Sequence, residues 1–167
     1  LDLDPGRYQL RLAADSSLQQ KSGSVFYDID VPDFSKSALA LSGLVVSVAN
    51  GVAVAPRDKL VSLVPVVPTT EREFGSEDEA SVFLRVYQPG RNPIAPVEMT
   101  VTLVDAAEVK VVDRRETLGP DRFATARAAD YRIDLSIASL ARGPHLLTVT
   151  VSQGKASARR QLRVTVR

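Results

Sequence analysis

The sequence predicts an all-β, antiparallel β-sandwich, on three observations. Apolar side chains recur at every second residue, Pro and Gly punctuate the chain between those runs, and no long stretch keeps a helical period. Val97, Met99, Val101 and Leu103 alternate with Glu98, Thr100 and Thr102, and Tyr131, Ile133, Leu135 and Ile137 alternate with Arg132, Asp134 and Ser136. Such alternation buries one strand face and wets the other, the habit of antiparallel sheet.

The pattern predicts strands over 7–14, 23–31, 42–48, 60–67, 79–88, 97–105, 108–113, 130–137, 144–152 and 156–166. The segment DSSLQQKSG joins the first two, and SQGK makes a tight hairpin of the last two. The stretch QPGRNPIAP holds three prolines in nine residues and must be a loop. LGPDR breaks the chain before the Tyr131 strand, and residues 123–130 are open to a turn. Residues 35–42 are read as one or two helical turns capped by Asp33 or Ser35, or as extended chain.

The chain has 167 residues, 44% hydrophobic and 25% charged, enough apolar material for a core. A net charge of +1 gives no field that favours nucleic acid or anionic lipid, and the pairs Arg114–Arg115 and Arg159–Arg160 are read as solvated strand faces. With no cysteine, disulfides and Cys-ligated metals are excluded. No run reaches the roughly 20 apolar residues of a membrane span. LDLDPG lacks the basic and apolar regions of a signal peptide.

One element occurs twice. Leu3, Gly6, Tyr8, Leu10 and Leu12 match Leu140, Gly143, His145, Leu147 and Val149 in spacing, and each set leads into a strand, a turn and a second alternating strand. Leu-x-x-Gly-x-Tyr resembles the tyrosine corner of immunoglobulin-like sandwiches, in which a Tyr near the start of the penultimate strand bonds back to upstream backbone. Tyr8 fits that place, and His145 holds it in the second copy. The expected fold is therefore an immunoglobulin/fibronectin-like sandwich preceded by a hairpin from a similar second sandwich. The expected division is a C-terminal hairpin of a preceding sandwich at 1–33, a linker at 34–41 and a complete sandwich at 42–167. The alternative is one larger sandwich that includes the early hairpin.

The stretch from Pro5-Gly6-Arg7-Tyr8 through Val31-Pro32-Asp33-Phe34 to Leu39-Ala40-Leu41-Ser42-Gly43-Leu44 resembles a family. It is similar to the β-sandwich region downstream of the von Willebrand factor A domain in exported bacterial VWFA-related proteins of the acidobacterial type. Arg72-Glu73-Phe74 and Val86-Tyr87 extend the match. The resemblance implies export, an extracytoplasmic location (periplasmic, cell-surface or secreted) and a larger parent. It carries over no catalytic residue.

Each chemical motif has a plain structural alternative. Asp33-Phe34-Ser35-Lys36-Ser37 has the D-x-S-x-S form of a Mg²⁺ site, but such a site must end a parallel strand and open a helix, and no βαβ alternation follows. Asp33 is expected to cap a turn instead. The single histidine, His145, is read as a packing residue at a strand entry. Glu77-Asp78-Glu79 is read as a solvated loop without the spacing of a Ca²⁺ loop. Asp28 and Asp30 alternate with Tyr27, Ile29 and Val31, so they face water. No glycine-rich phosphate loop and no Trp are present.

No catalytic, cofactor-binding or metal-binding residue is assigned, and no cofactor is expected. The chain is expected not to be an enzyme. The expected role is a non-catalytic structural or interaction module of a larger exported bacterial protein, a spacer or protein-contact domain. The alternative is an accessory sandwich of an exported hydrolase, a peptidase or glycosidase. Expected partners are another protein or upstream domains of the same chain, with a homodimer through the N-terminal hairpin as a further option. The apolar face of residues 7–31 (Tyr8, Leu10, Leu12, Val25, Tyr27, Ile29 and Val31) must be covered by something, because a two-stranded hairpin is marginal in water.

Overall fold

A computed structural model describes residues 3–49, 64–123 and 126–167. It contains two compact units, Leu1–Lys36 and Ser37–Arg167.

The first unit is a hairpin. Strands β1 (Gly6–Ser16) and β2 (Lys21–Val31), each 11 residues long, pair antiparallel from Gly6↔Val31 to Ser16↔Lys21. The connection is shorter than the DSSLQQKSG loop expected from sequence, because Asp15, Ser16 and Lys21–Gly23 stay in the ladder. Gln20 turns the chain at φ 51°. The register puts Tyr8, Leu10, Leu12, Val25, Tyr27 and Ile29 on one face. On the other, Arg7 pairs with Asp30 at 3.9 Å, Gln9 Nε2 donates to Asp28 Oδ1 at 3.1 Å, and the Arg11 guanidinium lies 4.5 Å over the Phe26 ring. The Tyr8 hydroxyl donates to the Asp4 carbonyl at 2.8 Å, which is the expected corner. A 3₁₀ turn, Phe34–Lys36, ends the unit.

The second unit is a two-sheet sandwich. In the first sheet, β6 (Ala80–Tyr87) is central. Along one edge it pairs with β3 (Ala40–Leu41) and then β4 (Val45–Val48), and along the other with β9 (Ala128–Asp134). The second sheet runs β5 (Glu73–Phe74), β11 (Ala156–Val166), β10 (Gly143–Gln153), β7 (Val97–Val104), β8 (Lys110–Leu118). All pairings are antiparallel except β5 with β11. The chain crosses between sheets from β4 to β5, β5 to β6, β6 to β7, β8 to β9 and β9 to β10. That connectivity makes this unit an immunoglobulin/fibronectin-like sandwich.

The core is what the alternation foretold. Val82, Leu84 and Val86 from the first sheet and Val97, Met99, Val101, Leu147 and Val149 from the second are buried. Each such side chain contributes about 1.5–3 kcal/mol when fully buried. Phe74, on the two-residue β5, is also buried, and Arg167 N donates to its carbonyl at 2.8 Å.

Several boundaries differ from expectation, each for a local reason. Leu39, Ala40 and Leu41 are buried core residues, so the expected linker 34–41 and helical turns at 35–42 give way to a 3₁₀ turn and β3. The unit boundary falls at Lys36/Ser37, inside the segment 34–41 expected to link the two. In place of a strand at 60–67, residues 64–67 form no strand, and 60–63 lie outside the described residues. Of the 123–130 turn, residues 124–125 also lie outside them. The expected strand 108–113 is β8, which runs on to Leu118, because Leu118 is buried opposite Val97. It starts at Lys110 because Asp105 Oδ1 accepts the amides of Ala107 and Val109, both at 2.9 Å, and closes a turn. β9 stops at Asp134 where Ser136 turns left-handed at φ 47°, yet Leu135 and Ile137 remain buried.

β3 and β4 form one strand broken by a bulge. Leu41 faces Val86 and Val45 faces Phe83, so three residues here oppose two. Ser42 patches the ladder: its N–H donates to the Arg85 carbonyl, and its Oγ accepts the Arg85 N–H, both at 2.9 Å. Arg160 on β11 reaches across to the carbonyls the bulge turns out. Its Nε donates to Ser42 O at 3.2 Å and its Nη2 to Leu41 O at 3.0 Å. Arg160 is thus not the solvated residue the sequence suggests, whereas Arg159 is exposed.

A second polar seam joins the sheets. The Tyr131 hydroxyl of β9 donates to Glu116 Oε1 of β8. Burial, and then the bond to Glu116, push the phenol above its ordinary value.

Two predictions follow from these seams. Arg160→Ala strands two carbonyls and costs about 1–3 kcal/mol, while Arg159→Ala stays within about 0.5 kcal/mol, as read from denaturant midpoints. For Tyr131 the fold favours the neutral phenol. Its contribution is complete below about pH 10, where the unfolded phenol ionises, and is lost as pH climbs through the raised folded value. Tyr131→Phe should therefore flatten the fall in denaturant midpoint that sets in above about pH 10.

Candidate functional site

β6 leads into Gln88-Pro89-Gly90-Arg91-Asn92-Pro93-Ile94-Ala95-Pro96 before β7 begins. Pro89, Pro93 and Pro96 lack an N–H, so backbone pairing alone cannot hold this loop. Gln88, 2% exposed, does it with its side-chain amide. Its Nε2 donates to Ala95 O at 2.8 Å and its Oε1 accepts Ala95 N–H at 3.1 Å, the same two bonds a neighbouring strand would make. Gln153, at the end of β10, donates to Gln88 Oε1 at 2.8 Å and to Ala95 O at 3.2 Å. Arg127, just before β9, donates through Nε to Gln88 O and through Nη2 to Asn92 O, both at 2.6 Å, while Gln88 N–H donates to Arg127 O at 3.0 Å.

This network ties three connections at one end of the sandwich: β6–β7, the run into β9, and the β10–β11 turn. Ala126 and Arg127 both hold positive φ, 54° and 55°. Such strain in non-glycine residues persists only where the surroundings over-determine it. The tip, Gly90–Pro93, is exposed, with Gly90 at φ 88° where a side chain would be strained. A rigid exposed tip loses little entropy on contact with a partner. It carries a cation in Arg91, with no ion-pair partner among the described residues, an amide in Asn92, and no nucleophile or base.

The residues singled out in the sequence are scattered. The Asp33 carboxylate sits 3.0 Å from Lys36 Nζ across the 3₁₀ turn. Asp78 Oδ2 accepts the Gly75 amide at 2.7 Å and closes the turn between β5 and β6. Glu77, Asp78 and Glu79 line an open cleft of about 660 Å³ at the other end of the sandwich, with Arg132 and Asp134, themselves paired at 3.2 Å. That cleft is bounded by Ala49, next to the segment 50–63 outside the described residues. Asp28 and Asp30 lie on the wet face of the hairpin. Among the described residues, no three His, Cys, Asp or Glu side chains converge as metal ligands.

His145 is buried, 2% exposed, at the entry to β10. Its Nδ1–H donates to the Gly143 carbonyl at 3.1 Å, and its Nε2 is buried without a hydrogen-bond partner among the described residues. The outer face of the first sheet carries a bidentate pair, Arg85 with Asp130, which face each other across β6 and β9. The bond to Asp130 raises the Arg85 guanidinium further above its ordinary value.

Sequence reasoning missed the Gln88 network. It recognised the proline-rich loop but had no sign of what holds it. A Gln directly after an alternating strand, at an inward position, was the available signal.

No family model matches the chain, and no curated protein matches it. The solved structure of dimeric latent PorU from Porphyromonas gingivalis aligns with 98% of this chain at 12% identity and a TM-score of 0.37, a likeness too loose to bear on fold or function. The chain spans 12% of that protein's length.

Removing the Gln88 side chain leaves the Ala95 amide and carbonyl without their main partner. Gln88→Ala should cost about 1–3 kcal/mol and speed hydrogen exchange at Ala95 N–H, with β7 amides such as Val101 unchanged.

Proposed function

We propose that this chain is a non-catalytic sandwich module of a larger exported bacterial protein, and that it presents its β6–β7 loop end as a contact surface for another protein. The observation that carries the reading is the Gln88–Arg127–Gln153 network, in which one buried and two half-buried side chains fix an exposed loop. A loop that merely joins two strands needs no such support, and recognition loops on sandwiches are held by a rigid scaffold. The buried His145, tied to its own strand entry, supports a packing role for the only histidine. Export and a larger parent rest on the resemblance of Val31–Phe34 and Leu39–Leu44 to VWFA-related proteins.

A photo-crosslinking residue at position 91, expressed in the cells that make the protein, tests this. A protein adduct at 91, absent when the residue sits at exposed position 163 on β11 and weakened by Gln88→Ala, is the expected result. Equal labelling at 91 and 163, or hydrolytic turnover that His145→Ala abolishes, overturns the proposal.

A further inference from the structure

The two hairpins of this chain match position by position. β1–β2 and β10–β11 have strands of equal length, and Gly6↔Val31 and Tyr8↔Ile29 correspond to Gly143↔Val166 and His145↔Val164. Leu10 and Leu12 stand where Leu147 and Val149 stand. The coverage differs. Leu147 and Val149 are buried by the opposing sheet, whereas Leu12, Val25 and Tyr27 are 59%, 63% and 65% exposed.

We infer that β1–β2 is the closing hairpin of another sandwich, completed by strands that precede it in the same polypeptide. β10 and β11 show which slots those strands fill. β7 pairs with β10 over Leu146–Ser152, antiparallel, so a strand of the preceding sandwich pairs with the free edge of β1 over Gln9–Asp15. β5 pairs in parallel with Thr165 and Val166, so a short strand runs beside Asp30 and Val31. An opposing sheet covers Leu10, Leu12 and Tyr27. The outer face, with Arg7, Asp30, Gln9 and Asp28 paired on it, stays in water as the outer face of a sandwich does.

A second copy of the hairpin is a poorer occupant. Two strands of 11 residues present a footprint of about 37 Å by 10 Å. Face to face, two copies cover roughly 740 Å² in all, short of the roughly 1,200–2,000 Å² of a stable interface. Such a pair would also leave the strand edges free. This inference is independent of the proposed loop contact.

Light scattering and hydrogen exchange on this chain, beside the natural polypeptide that extends upstream of Leu1, decide the matter. In this chain alone we expect a monomer whose β1–β2 amides exchange about 100-fold or more faster than those of β10–β11. In the longer polypeptide the same amides become as slow as those of β10–β11. Tyr27→Arg, on the covered face, returns them to fast exchange there, and Ser24→Arg, on the wet face, does not. Slow β1–β2 exchange in the monomer, protection that appears only with dimerisation and falls on dilution, or fast exchange in the longer polypeptide each overturns the inference.

Discussion

Most long strands of this chain, the charged edge strand β8 apart, carry an apolar face, and covering that face is the constraint on which the structure depends. In the second unit the cover is mutual. β6 and β9 supply Val82, Leu84, Val86 and Ile133, and β7 and β10 supply Met99, Val101, Leu147 and Val149. Neither sheet is stable without the other, since the hydrophobic term is proportional to the area taken from water. The same constraint makes the first unit informative. Its Leu10 and Leu12 match Leu147 and Val149 in place and kind, yet Leu12, with Val25 and Tyr27 beside it, faces solvent.

Where the ladder is interrupted, side chains imitate the backbone. At the bulge Ser42 Oγ accepts the Arg85 amide in place of a strand carbonyl, and Arg160 satisfies the carbonyls that turn away. At the proline-rich loop the Gln88 amide makes the two bonds of a missing strand to Ala95. Both devices satisfy buried backbone groups that would otherwise be costly to leave unpaired. They differ in what they support. The bulge lies within the sheet, so its repair preserves the core. The Gln88 network lies at a loop end and stiffens an exposed tip, and the proposed contact surface rests on that.

The long strands were legible because alternation reports directly on one-sided burial. Val97–Leu103 and Tyr131–Ile133 fall where the pattern puts them, and the repeated Leu-x-x-Gly motif reports two hairpins of one register. Short elements were not legible. β5 has two residues and is defined by its parallel pairing to Val166, which leaves no period to read. β8 was cut short because Asp113-Arg114-Arg115-Glu116 hides the alternation of an edge strand, where charge is tolerated. Residues 35–42 were open to helical turns or extended chain because Ser-Ala-Leu-Ala-Leu suits either state; burial of Leu39–Leu41 decides for the strand. The side-chain network at Gln88 depends on Arg127 and Gln153, far away in sequence, and no local pattern announces such a convergence.

The central claim is that the first hairpin is built to close an immunoglobulin-like sandwich. It can be tested inside this chain by replacing Gly143–Val166 with a second copy of Gly6–Val31, with Arg in place of the copied Val25 so that the Ser42 bulge keeps its clamp. Chemical denaturation of this chimera is the measurement. A single cooperative transition, with the protection of β6 and β7 amides retained, is the result the account predicts. A chimera that binds hydrophobic dye and unfolds without cooperativity would contradict it.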